Sequence, residues 1–259
     1  MANRSEERLL SPVCIETPVP FFKPLLAGAT LPDRLIGSIA ALVAIALTIY
    51  MTFPLVAADL PAIVAPLGAS AVLVFAVPAS PLAQPWPVIG GNVISTLFGV
   101  AAWNVIPDAT LAAGVAVGGA ILIMSLLRCL HPPGGAAALT AVIGAPDIHA
   151  ASYAFAITPV GINSLILVGL GLVFHRMGRH SYPHLSTLAH NTVTTAQATI
   201  GFASEDIDAA LADMHETFDI SRDDLETLFL RAEFHAVSRH TNVAEINDQN
   251  KRNRQPPKR

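Results

Sequence analysis

The 259 residues are 53% hydrophobic and 13% charged, with a mean hydropathy of +0.54 and a formal net charge of −4. A soluble domain carries roughly 25% charged residues, and here the deficit is concentrated. Between Asp33 and Phe174 the formally charged side chains are Asp33, Arg34, Asp59, Asp108, Arg128 and Asp147. That pattern excludes a buried soluble core, offers no basic surface for nucleic acid, and describes a membrane domain.

Residues 1–30 are polar and then proline-rich, and read as a cytoplasmic N-terminal tail. Glu6, Glu7 and Glu16 argue against a transit peptide, and the lack of an early apolar core argues against a cleaved signal. Pro32-Asp33 opens a first apolar run to about Ala58, whose uncharged core from Leu35 to Leu55 is long enough to cross roughly 30 Å of hydrocarbon. A second run, Ala62 to Val77, is short and starts at Pro66-Leu67-Gly68-Ala69-Ser70. Pro78, Pro81, Pro85 and Pro87 form a stiff connection with Trp86 at an interface position. The third run, Val88 to Ile106, carries Gly90-Gly91-Asn92, and Pro107-Asp108 opens a fourth that ends at Leu127. The fifth run, within 128–144, is again short. The sixth, Tyr153 to about Phe174, holds Pro159-Val160-Gly161-Ile162-Asn163.

The runs repeat. Pro32-Asp33 matches Pro107-Asp108, Pro66-Leu67-Gly68-Ala69-Ser70-Ala71 matches Pro132-Pro133-Gly134-Gly135-Ala136-Ala137, and the Asn92 stretch matches that of Asn163 with one gap. Lys and Arg flank the set (Arg4, Arg8, Lys23 and Arg34 before it, Arg176 and Arg179 after), which places both termini in the cytoplasm of a multi-pass inner-membrane protein. Six crossings then make the two halves opposite in direction, an inverted repeat. Four full spans plus two re-entrant short helices also keep both ends inside. The expected fold is therefore all-α: a polytopic helical bundle of about six hydrophobic segments, two of them short, in two inverted repeats over residues 31–178. Residues 179–240 add a cytoplasmic linker and helical hairpin. Its first helix spans Ser204 to Glu216, and Ser221-Arg222-Asp223-Asp224 caps a second to about Val237. Residues 241–259 read as a disordered tail.

The stretch from Arg128 to Gly144 organises the chain. Two adjacent prolines cannot sit inside a helix but suit its first turn, so Pro133 marks a helix start flanked by His131 and Arg128. A helix N-terminus carries partial positive charge and free N–H donors, which makes it an anion site. Pro66 begins a facing half-helix, where Gly68 and Ala69 leave room and Ser70 adds a hydroxyl; Thr140 offers another. Asn92 and Asn163 need partners in an apolar span, as packing contacts or as cavity-facing ligands. Gly114, Gly118, Gly119, Gly169 and Gly171 suit close helix packing, which is compatible with a homo-oligomer. The two cysteines, Cys14 and Cys129, form neither a disulfide framework nor a zinc spacing. No nucleophile elbow, phosphate loop or zinc-protease histidine pair is present, so neither an enzyme nor a cofactor is expected.

His131-Pro132-Pro133-Gly134-Gly135-Ala136-Ala137-Ala138-Leu139 resembles the signature of the HPP family of integral membrane proteins. Pro66-Leu67-Gly68-Ala69-Ser70-Ala71 and Tyr182-Pro183-His184 are similar to further parts of it, and together these cover roughly residues 20–185. The family is usually described with four or five spans, one or two fewer than read here. The resemblance implies a transporter or channel for a small inorganic anion, with nitrite suggested by plant and cyanobacterial members. Its site would draw on His131, Pro133, Gly134, Gly135, Gly68, Ala69, Ser70, Asn92, Asn163 and Arg128. The alternative is a membrane scaffold or sensor that signals through the cytoplasmic hairpin.

Overall fold

A computed structural model describes residues 31–178, 181–184, 204–214 and 219–253, and every regular element among them is helical. The membrane part runs α1 (Leu31–Thr52), α2 (Pro66–Ala76), α3 (Pro85–Val105), α4 (Ala109–Leu126), α5 (Pro132–Ile143), α6 (Pro146–Ala151) and α7 (Ile162–Met177), the last preceded by a π-type segment, Ala156–Gly161. Outside it lie α8 (Ser204–Met214) and α9 (Arg222–Asn253). Four stretches are long and apolar enough to cross a membrane: Leu31–Leu55, Pro85–Val105, Ala109–Leu126 and Ala156–Met177. The short helices α2 and α5, of 11 and 12 residues, rise only about 16–18 Å, roughly half the hydrocarbon thickness.

Local chemistry explains the boundaries. Proline opens α2, α3, α5 and α6 in the first turn, where its missing N–H leaves no bond unmade. Asp108 caps α4, its carboxylate accepting from the Leu111 amide at 2.8 Å. Before α7 the proline cannot donate to the ladder; Thr158 turns extended (φ −133°, ψ 113°) and regular helix resumes only at Ile162.

The packing is that of a bundle in lipid, with small and polar residues inward and large apolar ones outward. α1 buries Gly37, Ala44, Thr48 and Thr52 while exposing Leu35, Ile39, Leu42 and Tyr50. α4 buries the i, i+4 stripe Ala112, Ala116, Ala120 and Met124 and exposes Leu111, Val115, Ile121 and Leu122. α3 lies at the centre. On one side is a core of Leu67, Val74, Phe155, Val160 and Leu167; on the other are Ala112, Ala116, Met124, Ala138 and Val142. α3 and α5 approach backbone to backbone. A Cβ on Gly99 would lie 2.3 Å from the Ala138 carbonyl oxygen, and one on Gly91 would lie 2.5 Å from His131 Cβ.

Contacts sort the helix ends. Gly37, early in α1, meets the Phe75 carbonyl late in α2, and His175, late in α7, bonds the Val74 carbonyl at 2.8 Å. Trp86, at the start of α3, donates from its indole to the Leu127 carbonyl just past α4. The start of α1 and the ends of α2, α4 and α7 therefore share one face of the bundle. Trp103 and His149, stacked at 4.0 Å, mark the opposite face. α1 and α4 run in opposite directions, as do α2 and α5, and α3 and α7.

Several expectations change. A short helix, α6, carrying Asp147 and His149 lies between the fifth and sixth runs, where no element is expected. The sixth apolar run is broken at Thr158. Of the glycines expected to pack closely, Gly114, Gly118 and Gly169 face open space, whereas Gly119 abuts the Phe98 ring and Gly171 abuts Val74. In the hairpin, α8 is described to Met214 and buries Ile207, and its expected end, Glu216, lies outside the described residues. Ser221 caps α9 as expected, accepting from the Asp224 amide at 3.1 Å. α9 then continues to Asn253, through residues that composition assigned to a disordered tail. Low apolar content removes a packing partner but not helix propensity, so composition does not locate that end. His180, His190 and the tail residues 1–30 lie outside the described residues.

Candidate functional site

Where the half-length helices meet, a set of polar side chains is closed off from solvent. His131, Ser70, Asn92, Ser95 and Ser164 are each 0% exposed. His131 is the N-cap of α5, and its extended backbone (φ −142°, ψ 108°) swings the ring out of the helix and against α2. Its Nδ1 lies 2.8 Å from the Leu82 carbonyl oxygen. A carbonyl can only accept, so Nδ1 carries the proton. In the neutral ring Nε2 is then an acceptor, and the Ser70 hydroxyl, 2.8 Å away, donates to it. The Ser70 oxygen also accepts from Asn92 Nδ2 at 3.2 Å. The second Asn92 hydrogen goes to Ser164 Oγ, also at 3.2 Å, and that hydroxyl donates to the Val160 carbonyl at 2.9 Å. The bond directions thus form a single consistent chain through α7, α3, α2 and α5.

Two buried polar atoms beside this chain have no partner, Asn92 Oδ1 and Ser95 Oγ. Ser95 lies against the first turn of α5, since a Cβ on Gly134 would sit 2.8 Å from its hydroxyl. An unmade hydrogen bond at such depth costs about 1–3 kcal/mol, and buried orphans of this kind cluster where a ligand or water binds.

The residues singled out from the sequence divide. His131, Ser70 and Asn92 come together, with Pro133 and Gly134 buried beside them and Gly135 half-buried. Asn163 belongs to a separate knot. It accepts from the Val64 amide at 3.2 Å and donates to Thr52 Oγ1 and the Ala62 carbonyl at 2.9 and 3.0 Å, so its hydrogen-bonding groups are all engaged. Gly68 and Ala69 are on the exposed side of α2, and Arg128 is exposed at positive φ (54°). Thr140 bonds back to its own helix.

The backbone donors expected at the two helix starts are also engaged. Pro66, Pro132 and Pro133 have no N–H. The Leu67 and Gly68 amides close turns onto Val64 and Ala65 at 3.0 Å, and the Gly134 amide closes one onto His131 at 2.8 Å. The polar groups gathered at this junction are therefore those of side chains, with the helix dipole as background. Sequence reading missed Ser95, Ser164 and the Leu82 carbonyl. Ser95 is one turn beyond Asn92 and Ser164 adjoins Asn163, so their positions carried a faint signal, whereas a backbone carbonyl carries none. Among the described residues no three His, Cys, Asp or Glu side chains converge.

Comparison with known proteins agrees with this architecture. Two transmembrane proteins of Dictyostelium discoideum are similar to the chain. One is 36% identical over 131 residues (49% of this chain, 46% of the relative), and the other is 36% identical over 120 residues (44% and 38%). The chain thus spans under half the length of these relatives. No solved structure gives a significant match. The family description "HPP, transmembrane region" matches residues 27–183, well over half of the 259 residues and the whole of the helical bundle that encloses the buried cluster, and the chain is therefore a multi-pass member of the HPP transmembrane family.

Proposed function

We propose that the protein is a transporter, not an enzyme, that carries a small inorganic anion through the junction of α2 and α5. The observation that supports this is the buried, charge-free cluster of His131, Ser70, Asn92 and Ser95 at that junction. Polar groups at such depth are expensive and are kept where they line a pathway. The cluster has hydroxyl and imidazole groups and no carboxylate, which suits an anion more than a cation. It is closed on all sides, so passage requires rearrangement, as in a carrier. The break at Thr158, beside Val160 and Ser164, interrupts the helical wall around the cluster and is where we place that rearrangement.

The opposed directions of α1–α3 and α4, α5 and α7 fit an inverted repeat, in which each half-length helix completes a crossing begun by irregular chain. Six crossings then put Arg128 and Arg176 on the cytoplasmic face with both termini. Nitrite is the substrate the family resemblance suggests. Proteoliposome flux of nitrite against nitrate, chloride and formate tests the reading: saturable uptake of one anion, lost in His131→Ala, supports it, and no flux of any of them refutes it.

A second reading, a scaffold or sensor, rests on the docking of the hairpin. Asp219 accepts from Ser80 at 2.9 Å and Asp224 pairs with His184 at 2.9 Å, so the hairpin grips the turn that carries Leu82. Removal of residues 200–259 separates the two. Unchanged flux favours the transporter; lost partner binding without flux in either form favours the sensor.

A further inference from the structure

We propose that Ser70 and His131 form a proton-binding switch, and that the anion crosses together with the proton it holds. This rests on the transporter reading and adds the co-substrate. The geometry carries it. The Ser70 hydroxyl has two acceptors within reach, His131 Nε2 at 2.8 Å and the Pro66 carbonyl of its own helix at 3.3 Å. With a neutral ring the hydroxyl hydrogen points to Nε2. When a proton from water binds Nε2, the hydroxyl turns to Pro66, and its oxygen accepts the new Nε2–H while keeping the hydrogen bond from Asn92. One O–H bond of a hydronium ion breaks as the Nε2–H bond forms and a water molecule is left, and the Ser70 hydroxyl and both ring nitrogens have a partner in both states. The Nδ1–H bond to Leu82 is the same in both. Asn92 Oδ1, the unpartnered acceptor beside Ser70, receives the water that delivers the proton.

What faces the ring explains why the proton needs the anion. α2, α3, α4, α5 and the 80–84 turn contribute no Asp, Glu, Lys, Arg or second histidine. Near the ring in sequence are Cys129, buried, and Arg128, exposed; α7 contributes His175, bonded to the Val74 carbonyl, and exposed Arg176. Against the 80–84 turn, Asp219 accepts from Ser80, Tyr182 donates to the Ala83 carbonyl, and His184, whose amide bonds Gln84, pairs with Asp224. Among the described residues no carboxylate bonds the ring itself, and the N-terminal end of the α5 dipole opposes an imidazolium. A lone buried cation is strongly disfavoured. An anion that accepts from Ser95 Oγ supplies the missing counter-charge, so each species favours binding of the other.

The test uses the full chain in liposomes with 15N-labelled histidine rings and solid-state NMR, His131 being assigned by its loss in His131→Gln. Nitrate and nitrite are the probes, in separate samples. Without anion the ring is expected as the neutral Nδ1–H form at pH 7. Saturating anion is expected to raise its proton affinity about tenfold or more, with the same factor in anion affinity as pH is lowered. Ser70→Ala is expected to abolish that shift and Ser70→Thr to restore it. Anion counterflow, which needs no net proton movement, is measured on the same samples. Counterflow with a ring that stays neutral, or titrates independently of either anion, overturns the switch and leaves the transporter. A shift without counterflow supports the coupled site and overturns transport. Neither shift nor counterflow overturns both.

Discussion

The contact between α3 and α5 allows a sharp test of how the site is held. At Gly91 an added Cβ would meet His131 Cβ at 2.5 Å and the Cys129 carbonyl oxygen at 2.9 Å. Carbon atoms pack at about 3.5–4.0 Å, so Gly91→Ala demands a separation of about 1 Å. His131 cannot retreat that far and keep its 2.8 Å bonds to both Leu82 and Ser70. Either the ring loses a partner or α3 parts from α5. Overpacking of this kind costs about 1–3 kcal/mol, or roughly 2–12 °C in melting temperature at 2–4 °C per kcal/mol. Cys129, fully buried, supplies the assay: in a Cys14→Ser background its reaction with a thiol dye reports unfolding. Gly68→Ala is the control, because a Cβ there meets nothing within 4 Å; it should melt within about 2 °C of the parent, since Ala is if anything the better helix former. A Gly91→Ala protein as stable as the parent, or a Gly68→Ala protein equally weakened, would refute the packing argument.

Asn163→Ala strands the buried Val64 amide and should cost about 1–3 kcal/mol, seen in the same melt, with flux per folded molecule unchanged. Asn92→Ala should show the converse, a small loss of stability and a large loss of flux, because Ser70 and Ser164 still donate to His131 and Val160. Removing both carboxylates of the hairpin clasp, Asp219→Ala with Asp224→Ala, should increase protease sensitivity and hydrogen exchange in α8 and α9 while leaving the melt of the bundle unmoved. Arg222 holds the Asp208 carboxyl below the ordinary carboxylate range by hydrogen bonding to it. Its pKa is depressed in the folded state, so its contribution to α8–α9 docking is present above about pH 4 and lost as pH falls below that. Exchange protection of α8 should fall over that range, and by less in Asp208→Asn.

The outline of the fold was legible because the determinants are local. Apolar length gave the long helices, Pro66 and Pro133 gave the short ones to within a residue, Pro107-Asp108 gave the start of α4 and Ser221 a cap, all set by bonds within a few residues. What was not legible depends on which way a helix is turned. Gly118 and Gly119 are neighbours in sequence, yet one faces open space and the other lies against the Phe98 ring. In an apolar helix rich in Ala and Gly the two faces look alike as sequence, so periodicity carries little information about which is inward. The same blindness placed Gly68 and Ala69 at the site when they lie on the outer side of α2, one or two residues from buried Ser70.

The site itself shows a subtler limit. Proline-initiated half-helices suggested an anion cradle of free amides, and the prolines do start both helices. A proline at the first position removes one donor, and two in succession remove two. The turn they enforce then lets the next amide bond the carbonyl just before the helix, as Gly134 does to His131 and Gly68 to Ala65. The residue that makes the helix start recognisable in the sequence thus depletes the backbone donors that such a cradle needs. The polar groups left at the helix start are the N-cap side chain and whatever the neighbouring helix presents to it. Here that is His131 facing Ser70 across 61 positions of sequence, with Asn92 behind the hydroxyl. Each of the three was visible as a polar residue out of place in an apolar run, but only packing could show that they form one hydrogen-bonded chain and that Asn163, equally conspicuous, does not join it.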